Sequence, residues 1–318
     1  MHRVRAASGQ DVRHLEPAGR RQDRGWRRES VVDIPNATRR RYCHAFRRMH
    51  DKRRDARRER ALQLALIRWR RGQLTLTLPP QYLGVVATFD LYLESGPQHK
   101  KTLLHVLDLL GCVVQADTTD EAVAAAPEAI RAYLRYLGRH GEKVDPDEKI
   151  ETHLAKHNTE GLFSGQALWP QDLKPLAPSA LARYVRWLDW SRADLLALVH
   201  GIDDKRLRAK PAAGRSLRDI LLHVLDADKS YVYALVGPLK AMGGPTNAAG
   251  RGDLDLRVAM HEARRAAIDR LGTLTPGERA RIRTSGQSTY SAHRVIRRML
   301  EHEWEHRREI AARLGKDA

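Results

Sequence analysis

Apolar and polar residues alternate over residues 85–94, which is the period-two pattern of a half-buried strand. The turn SGPQHKK follows, and the run TLLHVL at residues 102–107 then predicts a second strand. A third strand is predicted at residues 112–116 and a fourth at residues 149–157. We therefore expect a small antiparallel sheet in this part of the chain.

A helix is predicted between the third and fourth strands, in the run EAVAAAPEAIRAYLRYL. Thr118 and Glu121 stand three residues apart, so each side chain can bond to the backbone amide of the other in a capping box. Pro127 lies inside the run and supplies no amide hydrogen, so we expect it to kink or divide the helix.

From Pro178 onward the spacing of apolar residues is helical. The pattern predicts four helices, at about residues 179–200, 216–237, 254–271 and 291–314. Four helices joined by long connections describe a four-helix bundle. The expected fold is thus an α+β domain with a small antiparallel sheet at residues 74–176, followed by an all-α four-helix bundle at residues 177–318.

The positive charge is concentrated at the N-terminus. The 318-residue chain has a formal net charge of +18, and residues 1–71 hold 22 Lys and Arg against 8 Asp and Glu. Residues 1–73 have little sustained apolar periodicity, so we predict a basic, disordered tail. Two interpretations stay open: the segment is an arm that binds nucleic acid through phosphate contacts, or it is merely a disordered tail or an over-extended translation start.

The compartment is predicted from the cysteines and the hydropathy. Cys43 and Cys112 lie in different segments without a CxxC spacing, which provides no disulfide framework. No run approaches 18 apolar residues, and the N-terminus has arginines where a signal peptide needs an apolar stretch. We expect a cytoplasmic protein without a membrane partner.

Three histidines are the main candidates for chemistry. His302 and His306 are four residues apart and share a helix face, on or beside its apolar stripe. His223 flanks the apolar stripe of the second predicted helix of the bundle. Neutral imidazoles bind divalent transition metals, and three protein ligands leave a position for water or substrate. The pattern predicts a metal site at these three residues, with zinc or nickel as the ion.

The same segment contains a competing motif, because residues 302–306 read H-E-x-x-H, in which Glu303 would be the general base of a zinc protease. The extended motif needs Gly and His further on, where this chain has Glu309 and Ala312. The protease interpretation is therefore disfavoured. For Glu303 two roles stay open: a residue that orients a ligand histidine, or one half of a helix-internal salt bridge to an arginine.

The middle of the chain resembles the HicB-like antitoxin family. The run HVLDLLGCVVQADTTDEAVAAAPEAI matches that family's hallmark at six positions, with Leu110 where the family often has proline. The matching positions are Asp108, Gly111, Cys112, Thr118, Glu121 and Ala122. The resemblance implies a small sheet with a helix and a possible toxin partner.

The C-terminal half resembles the DinB superfamily. GRSLRDILLHVLDADKSY is similar to that family's second-helix pattern, with Arg215 in place of the usual tryptophan, and HEWEHRREI is similar to its final HxxxH pattern. Carried over position by position, the resemblance makes His223, His302 and His306 the ligands of a divalent metal. It also implies a thiol-dependent transferase or isomerase that uses a low-molecular-weight thiol.

The leading hypothesis is a metal-dependent enzyme of the DinB type, fused to a HicB-like domain and acting on a small-molecule substrate. The alternative is a HicB-like antitoxin or RNA-binding protein in which the bundle is a dimerisation scaffold. A homodimer is compatible with both.

Overall fold

The computed structural model describes residues 66–70, 73–77, 86–96, 101–159, 167–286 and 288–316. The chain divides into two compact units, residues 1–84 and residues 85–318. In the first unit, β1 (Leu66–Arg70) pairs antiparallel with β2 (Gln73–Thr77). The prediction of a disordered tail is therefore wrong at the end of that segment, where residues 66–70 form a strand. Residues 1–65 of the predicted tail lie outside the described residues.

The second unit begins with a four-stranded mixed sheet in the order β5-β4-β3-β6. As predicted, the first three strands of this sheet are antiparallel neighbours. The last strand instead pairs parallel to β3, so the expectation of an antiparallel sheet is wrong for that strand. The strands are β3 (Val86–Ser95), β4 (Thr102–Val106), β5 (Val113–Ala116) and β6 (Lys149–Asn158).

The parallel pairing follows from the helix α1 (Thr119–Arg139), which connects β5 to β6. The strand β5 runs in the same direction as β3. The helix α1 then crosses the sheet and brings the chain back to the edge formed by β3, where β6 runs in the same direction as β3. The predicted capping box of Thr118 and Glu121 is present. The helix continues through Pro127 without being divided, contrary to one of the two expectations.

The rest of the second unit is mainly helical. The long helices α2, α4, α6 and α8 agree closely with the four predicted ranges, and α6 and α8 each contact both α2 and α4. In chain order the helices are α2 (Pro178–Leu198), α3 (Asp204–Arg208), α4 (Leu217–Val236), α5 (Lys240–Arg251), α6 (Leu256–Gly272), α7 (Pro276–Ala280) and α8 (Ala292–Leu314), with the hairpin β7 (Arg283–Ser285) and β8 (Ser288–Tyr290) before α8.

The helix α8 packs against the sheet part as well as against the other long helices. The ring of Trp304 lies 4.8 Å from that of Tyr133 and 5.1 Å from that of Tyr136, both on α1. Residues of the sheet, of α1 and of the long helices belong to one hydrophobic cluster. The predicted domain boundary between residues 176 and 177 stays a prediction, within a unit that is compact from residue 85 onward.

Buried charges join α8 to the sheet. Arg297 is fully buried and donates to Asp172 at 2.8 Å and to Glu301 at 2.9 Å. Glu301 also lies 2.8 Å from Nδ1 of His105 on β4. Because each of these buried charges has an oppositely charged or hydrogen-bonding partner, this polar face of α8 can lie inside the protein.

Two further findings bear on the predicted properties. Cys112 is buried, and burial raises the pKa of its thiol to about 12, so that this thiol is not a candidate nucleophile. Cys43 lies outside the described residues. No helix in the described part of the chain is both long and apolar enough to cross a membrane.

The turn between β4 and β5 depends on Gly111, whose φ is +103°. A Cβ atom here would collide with the hydroxyl of Tyr133, which donates to the carbonyl of Leu110 at 2.6 Å. We expect Gly111→Ala to lower the free energy of unfolding by about 2 kcal/mol more than Gly141→Ala. Gly141 is the matched control, since its φ is +90° but nothing lies within 4 Å of a Cβ there. Urea unfolding of both variants checks this, and equal losses would contradict it.

Candidate metal centre

Two neighbouring helices bring the three predicted histidines together. A capping box of Ser216 and Asp219 starts α4, and His223 follows two turns later. His302 and His306 lie one turn apart on α8, which contacts α4. The three histidines named from the sequence thus lie together in one cluster.

The ring nitrogens of the cluster converge. Nε2 of His302 lies 3.0 Å from Nε2 of His223 and 3.2 Å from Nε2 of His306. One ring nitrogen from each residue falls within 4.8 Å of the other two. Two nitrogens bound to one tetrahedral zinc ion at ordinary bond lengths are about 3.3 Å apart. The observed spacing therefore suits a single ion held by all three rings.

The surroundings keep all three rings neutral. Burial is the largest cause that lowers the pKa of His302 to about 2, and the neighbouring His306 and Arg298 are smaller causes of the same shift. Burial is also the main cause that lowers the pKa of His223 and of His306. A neutral imidazole has a free lone pair, which is the form that binds a metal ion. In this form the cluster is able to hold a metal ion.

A carboxylate orients one of these rings. Nδ1 of His306 lies 2.9 Å from Oε2 of Glu309, which itself pairs with Arg313. A proton on Nδ1 donated to this carboxylate leaves the Nε2 lone pair directed at the other rings. Sequence reasoning considered Glu309 only as a departure from the protease motif. The signal that could have identified it is the spacing of three residues from His306 on one helix face.

His302 lacks a support of this kind. Its Nδ1 atom is buried and has no hydrogen-bond partner within the described residues. Outside the cluster, the ring of Tyr231 stands edge-on to the ring of His302 at 6.4 Å. His302 is therefore held by packing on α8, where it is 8% exposed.

Glu303 lies with arginines of other helices. Its Oε1 accepts a hydrogen bond from Nε of Arg192 on α2 at 2.5 Å, and its Oε2 lies 2.9 Å from Arg264 on α6. Two roles were left open for Glu303, and the contacts present are those of the salt bridge. The prediction placed this salt bridge within α8, but its arginine partners lie on α2 and α6. A role in orienting a ligand histidine stays a prediction.

Asp228 on α4 completes this buried network. Its Oδ2 accepts from Arg192 at 2.7 Å and from Arg264 at 2.6 Å. One residue from each of the four long helices therefore takes part, and two negative charges face two positive ones. The network holds α4 and α8 against their neighbours, and α4 and α8 are the two helices that carry the histidines.

Comparisons with known proteins identify two parts of the chain. A model of the DinB superfamily matches residues 188–310, which include all three histidines. A UPF0150 protein of Thermoplasma acidophilum is 42% identical over 53 residues, which make up 16% of this chain and 77% of that protein. The match falls in the N-terminal region and is loosely consistent with a HicB-like domain. No solved structure matches the chain.

Proposed function

Because the chain belongs to the UPF0150 family through its N-terminal region and has a DinB-like domain at residues 188–310, we propose that it is a metal-dependent enzyme of the DinB type. Its four long helices would form the DinB bundle, with zinc or nickel bound by His223, His302 and His306. The observation that carries this proposal is the convergence of three neutral ring nitrogens, at 3.0 and 3.2 Å from the central one.

The proposed reaction is transfer or isomerisation with a low-molecular-weight thiol as cosubstrate. A divalent ion in such a site stabilises a thiolate over the thiol and so supplies a nucleophile at neutral pH. The protein's own residues divide the remaining work. His302 is buried and anchors the site, while Glu309 fixes the ring of His306. His223 and His306 are partly exposed, so a small molecule reaches the site from their side.

The likeness to a UPF0150 protein supports the HicB-like assignment of the sheet part. A toxin or RNA partner for that part, with the bundle as a dimerisation scaffold, stays a prediction. The buried contacts between α8 and the sheet, such as that of Glu301 with His105, tie this part to the helix that carries two of the histidines.

We expect the full-length protein loaded with cobalt(II) to change its visible absorption when 2-mercaptoethanol is added, and to gain a near-ultraviolet thiolate-to-metal band. Cobalt(II) replaces zinc and reports directly on its ligands. His306→Ala should lose both signals because it removes a ligand. His261→Ala is the matched control, since His261 is exposed on α6.

Two results would contradict the proposal. If the wild-type protein takes up no cobalt, the metal site is refuted. If it takes up cobalt but thiols leave the spectrum unchanged, the metal site survives and the thiol-dependent reaction is refuted.

A further inference from the structure

Two of the three rings of the histidine cluster are partly exposed. His302 is 8% exposed, whereas His223 and the side chain of His306 are partly exposed. The start of α4 meets the end of α8, because Arg313 donates to the backbone carbonyl of Arg215 at 2.6 Å. Arg215 stands immediately before Ser216, the N-cap of α4. The backbone of Arg215 is therefore linked to the cluster through Arg313 and through Glu309, the partner of His306.

Several charged groups near the cluster are already paired. Glu309 pairs with Arg313, and Asp226 pairs with Lys229 at 2.8 Å. Arg298 pairs with Glu301 at 3.0 Å.

Arg215 differs from these groups. It is exposed, and among the described residues its guanidinium group has no ion-pair partner. A cation without a partner beside an open ligand position is suited to bind an anionic part of whatever occupies that position.

We propose that Arg215 binds the carboxylate of an anionic thiol whose sulfur reaches the histidine cluster. The proposal rests on the proposed function and specifies its cosubstrate: a small thiol that carries a carboxylate. The planar guanidinium group offers two parallel N–H donors, which match the two oxygens of a carboxylate. Sulfur at the metal position and carboxylate at Arg215 would together fix the orientation of the thiol.

The test compares two thiols of similar size on the full-length, cobalt-loaded protein. The probe 3-mercaptopropionate carries a carboxylate, and 2-mercaptoethanol does not. Binding of each is titrated through the cobalt absorption of the wild type and of Arg215→Gln. We expect Arg215→Gln to lower the affinity for 3-mercaptopropionate by about tenfold or more, because a hydrogen-bonded charge pair is lost. The affinity for 2-mercaptoethanol should change by less than about twofold.

Arg281→Gln is the control for loss of one positive charge. Arg281 is exposed and lies between α7 and β7, before the start of α8, whereas His302 and His306 lie ten or more residues into that helix. This variant should bind both thiols as the wild type does. If Arg215→Gln lowers the affinity for both thiols equally, or changes neither affinity, carboxylate binding by Arg215 is refuted while the metal site stands. If the wild type shows no cobalt or thiol signal at all, the proposed function itself has failed, and the inference with it.

Discussion

Glu303→Gln is expected to lower the free energy of unfolding of the full-length protein by about 3–5 kcal/mol. Glu303 is fully buried and faces Arg192 and Arg264. Without its charge, two buried guanidinium groups share only Asp228, and an uncompensated buried charge costs more than the lost attraction. Urea unfolding followed by tryptophan fluorescence measures the change.

The control for this prediction is Glu262→Gln, an exposed position on α6 that should change the free energy by less than about 0.5 kcal/mol. A double variant, Arg264→Leu with Glu303→Leu, leaves the neutral pair of Arg192 and Asp228. It should therefore be less destabilised than the sum of its single changes. A Glu303→Gln protein as stable as the control would contradict the structural role, and the general-base interpretation of H-E-x-x-H would gain support.

Most of the elements could be predicted because their signals are local. Ser216 and Asp219 form the capping box at the start of α4, and Ser291 caps α8 through the amide of Arg294. Gly315, in the left-handed region, ends α8. The spacing of His302 and His306 placed both on one face of that helix. These features depend on residues within four positions of one another, which a sequence displays directly.

Other features depend on partners distant in the chain. The parallel pairing of β6 with β3 joins two strands that lie more than 50 residues apart in the chain. The helix α5 contains Gly243, Gly244 and Pro245, which argue against a helix, and its contacts with α6 override that local preference.

The burial of charged residues on α8 could not be predicted from the sequence either. An amphipathic pattern predicts one apolar face and one exposed polar face. Here polar residues in the first half of α8 are buried too, because Arg297 pairs with Asp172 and Glu301 pairs with His105. Both partners lie more than 120 residues earlier in the chain. The same holds for Glu303, whose partners are on α2 and α6.

His223→Ala is expected to lower the affinity of the full-length protein for zinc by at least about 100-fold. Loss of a residue that only hydrogen-bonds to a metal ligand already lowers metal affinity by about 10- to 100-fold. His223 is the one histidine of the cluster on α4, and its Nε2 lies 3.0 Å from that of His302. Its ring is partly exposed and stacks edge-on against the other two, so the variant should remain folded. In a protease with the H-E-x-x-H motif, His223 would have no part in the metal site.

The most direct measurement is a zinc titration of the wild type, His223→Ala and the control His261→Ala, in competition with a chromophoric chelator. The three-histidine site predicts one ion per chain for the wild type and the control, and at least about 100-fold weaker binding for His223→Ala. A wild type that binds no zinc, or a His223→Ala protein that binds zinc as tightly as the wild type, would contradict it.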